Sequence, residues 1–192
     1  MSTEVPPATI RLTGPLTRGD FLLLLYWFAD TNAVPETNGI RGLSRLTRLS
    51  LILGEELGLR ETIQPYFEYH RTPARGIASP EVWDELLALR AYQVLKTFHV
   101  DEPLPPEETE ERRYLLEHHI PVHERAHYPV PAVLERDILT NKGTFFAAKR
   151  EDQTIQRSIE IYKTTAELNQ LPLSDLTARA LPLIGTGAHA AR

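Results

Sequence analysis

Five consecutive residues, His123-Glu124-Arg125-Ala126-His127, have the types and spacing of a zinc-hydrolase motif. On an α-helix, side chains four apart share a face, so both imidazoles would converge on a zinc ion and Glu124 would act as general base. His118 and His119 lie just upstream, and Glu135, Glu151 and Asp152 are candidates for a third ligand. The surroundings oppose this reading. Pro121 and Pro129 leave room for roughly two helical turns, and Arg125 puts a cation inside the motif. The plainer account is a polar, His-rich loop in which His123 and His127 hold no metal. No cofactor is expected. No Gly-rich phosphate loop is present, because Gly14 and Gly19 lack the Lys-Ser/Thr ending. No Ser-His-Asp set stands out either, so the chain reads as a non-enzyme.

A second constellation is basic. Arg41, Arg45 and Arg48 are three or four apart, the spacing of one helix face. Such a face can grip phosphates, which fixes a protein on DNA without reading sequence. It can equally be a solvated face that pairs with Glu55, Glu56 or the third helix. Arg71 and Arg75, beside His70, and Lys142 at an expected turn complete the nucleic-acid-binding candidates. Glu81, Asp84 and Glu85 open the third helix and weigh against base reading, since acids repel phosphate and match few base edges beyond cytosine N4.

Composition narrows the class. The 192 residues are 42% hydrophobic and 24% charged, with a net charge of −5. Residues 1–100 carry 10 Lys/Arg against 11 Asp/Glu, and residues 101–192 carry 11 against 15. That balance lacks the strongly basic footprint of most nucleic-acid binders, leaving only a local basic face. There is no cysteine, which excludes disulfides, thiolate zinc sites and cysteine nucleophiles. The first residues, Met-Ser-Thr-Glu-Val-Pro-Pro, do not have the basic-then-apolar order of a signal peptide. The longest apolar run, residues 21–29, is too short to cross a bilayer. A cytoplasmic location without membrane partners is therefore expected.

Elements must position these residues. Residues 1–16 read as a flexible arm. Thr17 and Asp20 have capping-box spacing, and Phe21, Leu22, Leu24, Leu25 and Phe28 recur helically. A polar loop over 31–42 leads to a second helix over 43–57, with Gly58 as its stop. Aromatics over 65–69 suggest a strand. Ser79-Pro80-Glu81 starts a third helix running to about residue 95. Residues 97–100 and 138–140 read as strands, with 141–143 as the turn after the second. Residues 101–111, rich in Pro and Glu, read as an exposed linker, and 112–119 as a short helix. A long helix spans 145–170. Ser174 caps a last helix, and 182–192 read as a disordered tail. Trp27, Phe28, Trp83, Phe145 and Phe146 are expected in the core.

Three helices followed by strand, turn and strand is the order of a winged helix. Gly42-Leu43-Ser44-Arg45-Leu46-Thr47-Arg48-Leu49 resembles the second-helix start of the YwgA-like family, itself similar to the Panacea antitoxin domain. Arg75-Gly76-Ile77-Ala78-Ser79-Pro80-Glu81 stands where both carry Tyr-Gly-Pro-Tyr-Ser-Pro-Glu. Leu139-Thr140-Asn141-Lys142-Gly143 resembles a wing segment, and the stretch from Asn169 to Leu176 is similar to the family's C-terminal segment. Leu43, Ile77 and Ala78 depart from the pattern, and residues 101–135 have no counterpart. The resemblance implies a mainly α fold with a small β-wing (α+β): a winged helix-turn-helix core over 17–181, carrying an insert at 101–135 and a C-terminal helical extension. It implies a DNA-associated or transcription-regulatory role. A protein-interaction module on the same scaffold, antitoxin-like or defence-like, is the alternative, and a zinc hydrolase at His123 and His127 a second. Ile155, Ile159, Tyr162 and Ala166 form a narrow stripe that suits a homodimer seam or packs against the first helix.

Overall fold

A computed structural model describes residues 16–30, 38–154 and 158–184. The expected arm over 1–16 apart from Leu16, most of the 31–42 loop, Ile155 and the tail from 185 lie outside the described residues; Leu16 is no part of a flexible arm, being buried and bridged to Ile63. The described part is mainly helical with a small antiparallel sheet, an α+β arrangement. No helix among the described residues is long and apolar enough to cross a membrane.

Helix α1 (Arg18–Asp30) opens on the capping box its sequence announces. The Thr17 N–H donates to Asp20 Oδ2 at 3.3 Å and the Asp20 N–H to Thr17 Oγ1 at 3.1 Å. Its apolar residues point in every direction, so it is buried on every side and packs against α3, α5 and α6. Helix α2 (Leu43–Glu56) buries Leu46, Leu49 and Leu53. It stops where Gly58 turns left-handed, at φ 64°. Residues 65–69 are not a strand. Phe67 instead packs in a cluster with Phe21, Tyr66 and Tyr69, each ring pair 5.9–6.1 Å apart.

A two-stranded hairpin, β2 (His70–Arg71) and β3 (Ile77–Ala78), leads into α3 (Pro80–Ala91). Ser79 caps it by accepting the Val82 N–H at 3.4 Å, and Pro80 occupies the first turn. The helix ends before residue 95 because Gln93 goes left-handed at φ 57°. Strand β4 (Leu95–Pro103) then pairs antiparallel with β5 (Val133–Leu139), which also pairs with β1 (Ile40–Arg41), giving the order β1-β5-β4.

Four sequence expectations fail between and after these strands. The 101–111 linker is the end of β4 followed by α4 (Pro106–His118). Pro106 starts that helix with Glu107 and Glu108 in its first turn, a favourable arrangement at the positive end of the helix dipole. The turn over 141–143 is the first turn of α5 (Asn141–Thr154), where Thr140 Oγ1 accepts the Gly143 N–H at 3.1 Å. The single helix over 145–170 is two helices, α5 and α6 (Ser158–Gln170). Last comes α7 (Leu173–Ala180), which packs on α2 and begins after Pro172; Ser174 lies inside its first turn and is not its cap.

Candidate interaction surfaces

A seam of buried charge joins α4 to the rest of the chain. Arg48 is wholly buried, and its Nη2 donates to Glu111 Oε1 at 2.5 Å and its Nη1 to Oε2 at 3.1 Å. The remaining Arg48 donors reach the Ser44 carbonyl at 2.7 Å and Thr177 Oγ1 at 2.6 Å. Glu111 also accepts from the Ser44 hydroxyl and, at 3.0 Å, from the Ile77 N–H. Burial pushes the Glu111 carboxyl above the usual range, and the hydrogen bonds and charge of Arg48 pull it back only in part.

Glu108 supplies a cap that α2 cannot make for itself. Gly42, at the N-cap, has no side chain, so the first amides of α2 have no local acceptor. Glu108 accepts the Leu43 N–H at 2.8 Å and the Ser44 N–H at 2.7 Å. Gly42 sits at φ 81°, and a Cβ there would stand 2.7 Å from Glu108 Oε2, so both the conformation and the close approach require glycine. Arg112 pairs with Glu108 and Glu135, each at 2.9 Å. Arg90 then bridges Glu135 at 3.1 Å and Asp137 at 2.7 Å. Burial opposes the Glu135 charge, yet Arg90 and Arg112 outweigh it and hold the carboxyl below its ordinary value. The seam therefore runs from α2 through α4 to the sheet and α3.

The segment between β4 and β5 also contacts α3. His119 Nε2 lies 3.1 Å from both Asp84 oxygens. Tyr128 stands edge-on to Trp83 with ring centroids 6.3 Å apart. Glu81 accepts the Ser79 hydroxyl at 3.1 Å and lies 3.8 Å from Arg18. Burial raises the Glu85 carboxyl above its usual value. Of the acids expected to face solvent at the start of the third helix, Asp84 does so while also contacting His119, and Glu81 and Glu85 are partly buried.

The basic constellation does not assemble as one face. Gly42 breaks the chain between Arg41, on β1, and the helix carrying the other two. Arg41 pairs with Glu102 at 3.2 Å. Arg45 donates to the Asn169 carbonyl at 2.9 Å and the Leu171 carbonyl at 2.8 Å. Arg48 is unavailable to any phosphate because the fully buried Glu111 neutralises it. Arg71 donates to the Leu181 carbonyl at 3.0 Å, and Arg75 is exposed in the β2–β3 turn at φ 64°. Lys142 is not at the tip of a β-turn; it lies in the first turn of α5 and donates to the Tyr92 carbonyl at 2.8 Å.

Other expectations are corrected as well. Between the flanking prolines the chain forms turns and a single 3-10 turn (Arg125–His127), so His123 and His127 do not share an α-helical face. His123 is 80% exposed and lies 3.4 Å from Glu124. Among the described residues no three His, Asp or Glu side chains are grouped to hold a metal ion. Phe28 and Trp83 are core, but Phe145 and Phe146 are 65% and 43% exposed, since α5 turns that side outward. In the dimer stripe, Tyr162 packs edge-on against Phe28 at 6.1 Å, and α6 buries Ile161, Thr165 and Leu168 inside the molecule.

One surface was missed at the sequence level. Strand pairing sets Phe98, Arg136 and Arg41 in one row across the sheet, with Lys96 and Ile138 in the next. This is the side opposite the buried Leu95, Asp137 and Ile40. Lys96 Nζ lies 4.7 Å from the Phe98 ring centroid and the Arg136 guanidinium 5.9 Å from it. No apolar alternation marks it: Leu95, Phe98 and Val100 fall on both sides of β4, and only the register with β5 brings Lys96, Phe98 and Arg136 to one face. Comparison with known proteins finds no matching family model, curated relative or solved structure.

Proposed function

We propose that this chain is a protein-interaction module built on a winged-helix scaffold, and that it docks a partner through the outer face of its sheet. The scaffold reading is supported by three helices followed by an antiparallel pair, with β5 bridging to a short strand between the first two helices. In such a scaffold the third helix enters the major groove. The observation that carries the proposal is that the start of α3 is acidic and contacts its neighbours within the molecule: Glu81, Asp84 and Glu85 open it, His119 lies beside Asp84, and Tyr128 abuts Trp83. A phosphate backbone brought to that helix would meet Glu81, Asp84 and Glu85, which would repel it.

The sheet face has the makings of a docking surface. Arginine and aromatic side chains anchor protein interfaces, and Phe98 stands between Lys96 and Arg136 with Arg41 alongside. Its partner is a protein with an acidic surface around an apolar group, since complementary charge sets orientation and on-rate. The test is fluorescence anisotropy on a generic duplex, together with affinity capture from the source cells. Wild type should not bind the duplex even at ~50 mM salt. A partner captured by wild type should be lost from the Phe98→Asp variant. Duplex binding with a steep salt slope, lost in Arg71→Ala/Arg75→Ala, would restore the DNA-associated reading.

A further inference from the structure

Beside the sheet face lies a cavity of about 240 Å³ lined by Gly39, Arg41, Arg45, Asn169 and Gln170. Its charge is not balanced. Arg45 is half-buried, yet among the described residues no carboxylate pairs with it, and its Nη1 meets only the carbonyls of Asn169 and Leu171. The next arginine inward, Arg48, is satisfied by Glu111, and Arg41 has only the exposed Glu102, a pair that solvent and salt weaken. The cost of this arrangement registers in Arg45, whose affinity for its proton is lowered by burial first and then by the neighbouring charges of Arg41 and Arg48. The Asn169 amide nitrogen donates to the Gly39 carbonyl at 3.0 Å, which joins the end of α6 to the residue before β1.

We infer that this cavity is a binding site for a dianionic oxyanion, a phosphate or phosphomonoester group, held by Arg41 and Arg45. Two guanidinium groups at one cavity match two negative charges, and their planar forks suit the spaced oxygens of phosphate better than a lysine would. A carboxylate brings one charge and leaves one arginine uncompensated. The bound group would tie β1 and α2 to the α6–α7 junction, because Asn169 and Gln170 end α6. It stands independently of the protein-docking reading, from which it differs in ligand, although Arg41 borders both surfaces.

Isothermal titration calorimetry at constant ionic strength tests it, with inorganic phosphate, phosphoserine and acetate as probes. Inorganic phosphate or phosphoserine should bind at a single site per chain, and acetate should not. The tighter of the two names the source, a free phosphate or an esterified one. Arg45→Met should weaken that binding by about tenfold or more, since it removes charge-assisted hydrogen bonds. Arg41→Gln, at an exposed position, is the second variant; it should weaken binding while leaving the circular dichroism spectrum and melting midpoint of wild type. Absence of binding by both phosphate probes, acetate binding equally well, or unaltered binding in Arg41→Gln would overturn the assignment.

Discussion

Arg48 and Arg45 lie one turn apart on the same helix and meet opposite fates. Arg48 is sealed between two helices and paired with a carboxylate. Arg45 lies half-buried at a cavity and meets only backbone carbonyls. The difference comes from outside the helix. Helix α4 delivers Glu111 to Arg48, while among the described residues no carboxylate pairs with Arg45. Spacing on a helix states which side chains share a side; what fills the space opposite is decided by distant segments. A buried ion pair fixes how two elements dock, while a half-buried, unpaired cation is a place for something else to bind.

The sharpest way to break the comparison is to remove the acid from Arg48. Glu111→Ala leaves Arg48 buried and unpaired, and should cost about 3–5 kcal/mol in urea unfolding. Arg48→Met/Glu111→Leu should recover most of that loss, because an apolar pair of similar volume avoids burying charge. Were the two variants equally destabilised, the effect would belong to lost packing and not to the unpaired charge.

Glu108→Ala comes next. It removes two charge-assisted bonds to the start of α2 and the partner of Arg112, for an expected loss of about 2 kcal/mol by the same measurement. A change near zero would mean that water caps α2 as well as Glu108 does.

Acid pH gives a smaller, signed effect. Glu135 titrates below its ordinary value when folded, so its contribution is present above the unfolded value, about 4.3, and is lost as pH falls through the folded one. Glu135→Gln should therefore flatten the fall in melting midpoint below roughly pH 4. An unchanged acid limb would detach Glu135 from the seam. Smallest of all, Arg41→Gln should alter stability by no more than about 0.5 kcal/mol, because its partner Glu102 is exposed.

What the sequence disclosed follows the same division. The start of α1, the stop of α2 and the start of α3 were legible because capping chemistry is local: Thr17 with Asp20, Gly58, and Ser79 with Pro80. Of helix α4 only the second half was legible, as the short helix expected over 112–119, although Pro106, Glu107 and Glu108 spell a helix start. Its buried side is Glu108, Glu111 and Arg112 with Leu115, and a charged inner face shows no apolar periodicity. The role of Arg48 was unreadable for the matching reason, since its partner lies 63 residues away. The sheet face was hidden because Leu95, Phe98 and Val100 do not alternate, so only the pairing of β4 with β5 sets Phe98 beside Arg136. Phe145 and Phe146 misled because an apolar pair on a helix does not say which side faces inward.

Whether the segment between β4 and β5 stays against α3 decides between docking and DNA reading. The chain has no cysteine, so a pair can be introduced without background. Asp84→Cys/His119→Cys, treated with a short bismaleimide, should give an intramolecular cross-link in high yield, unchanged by excess duplex DNA. A low yield, or a yield that falls as duplex is added, would mean that α3 opens to meet DNA and would contradict the account.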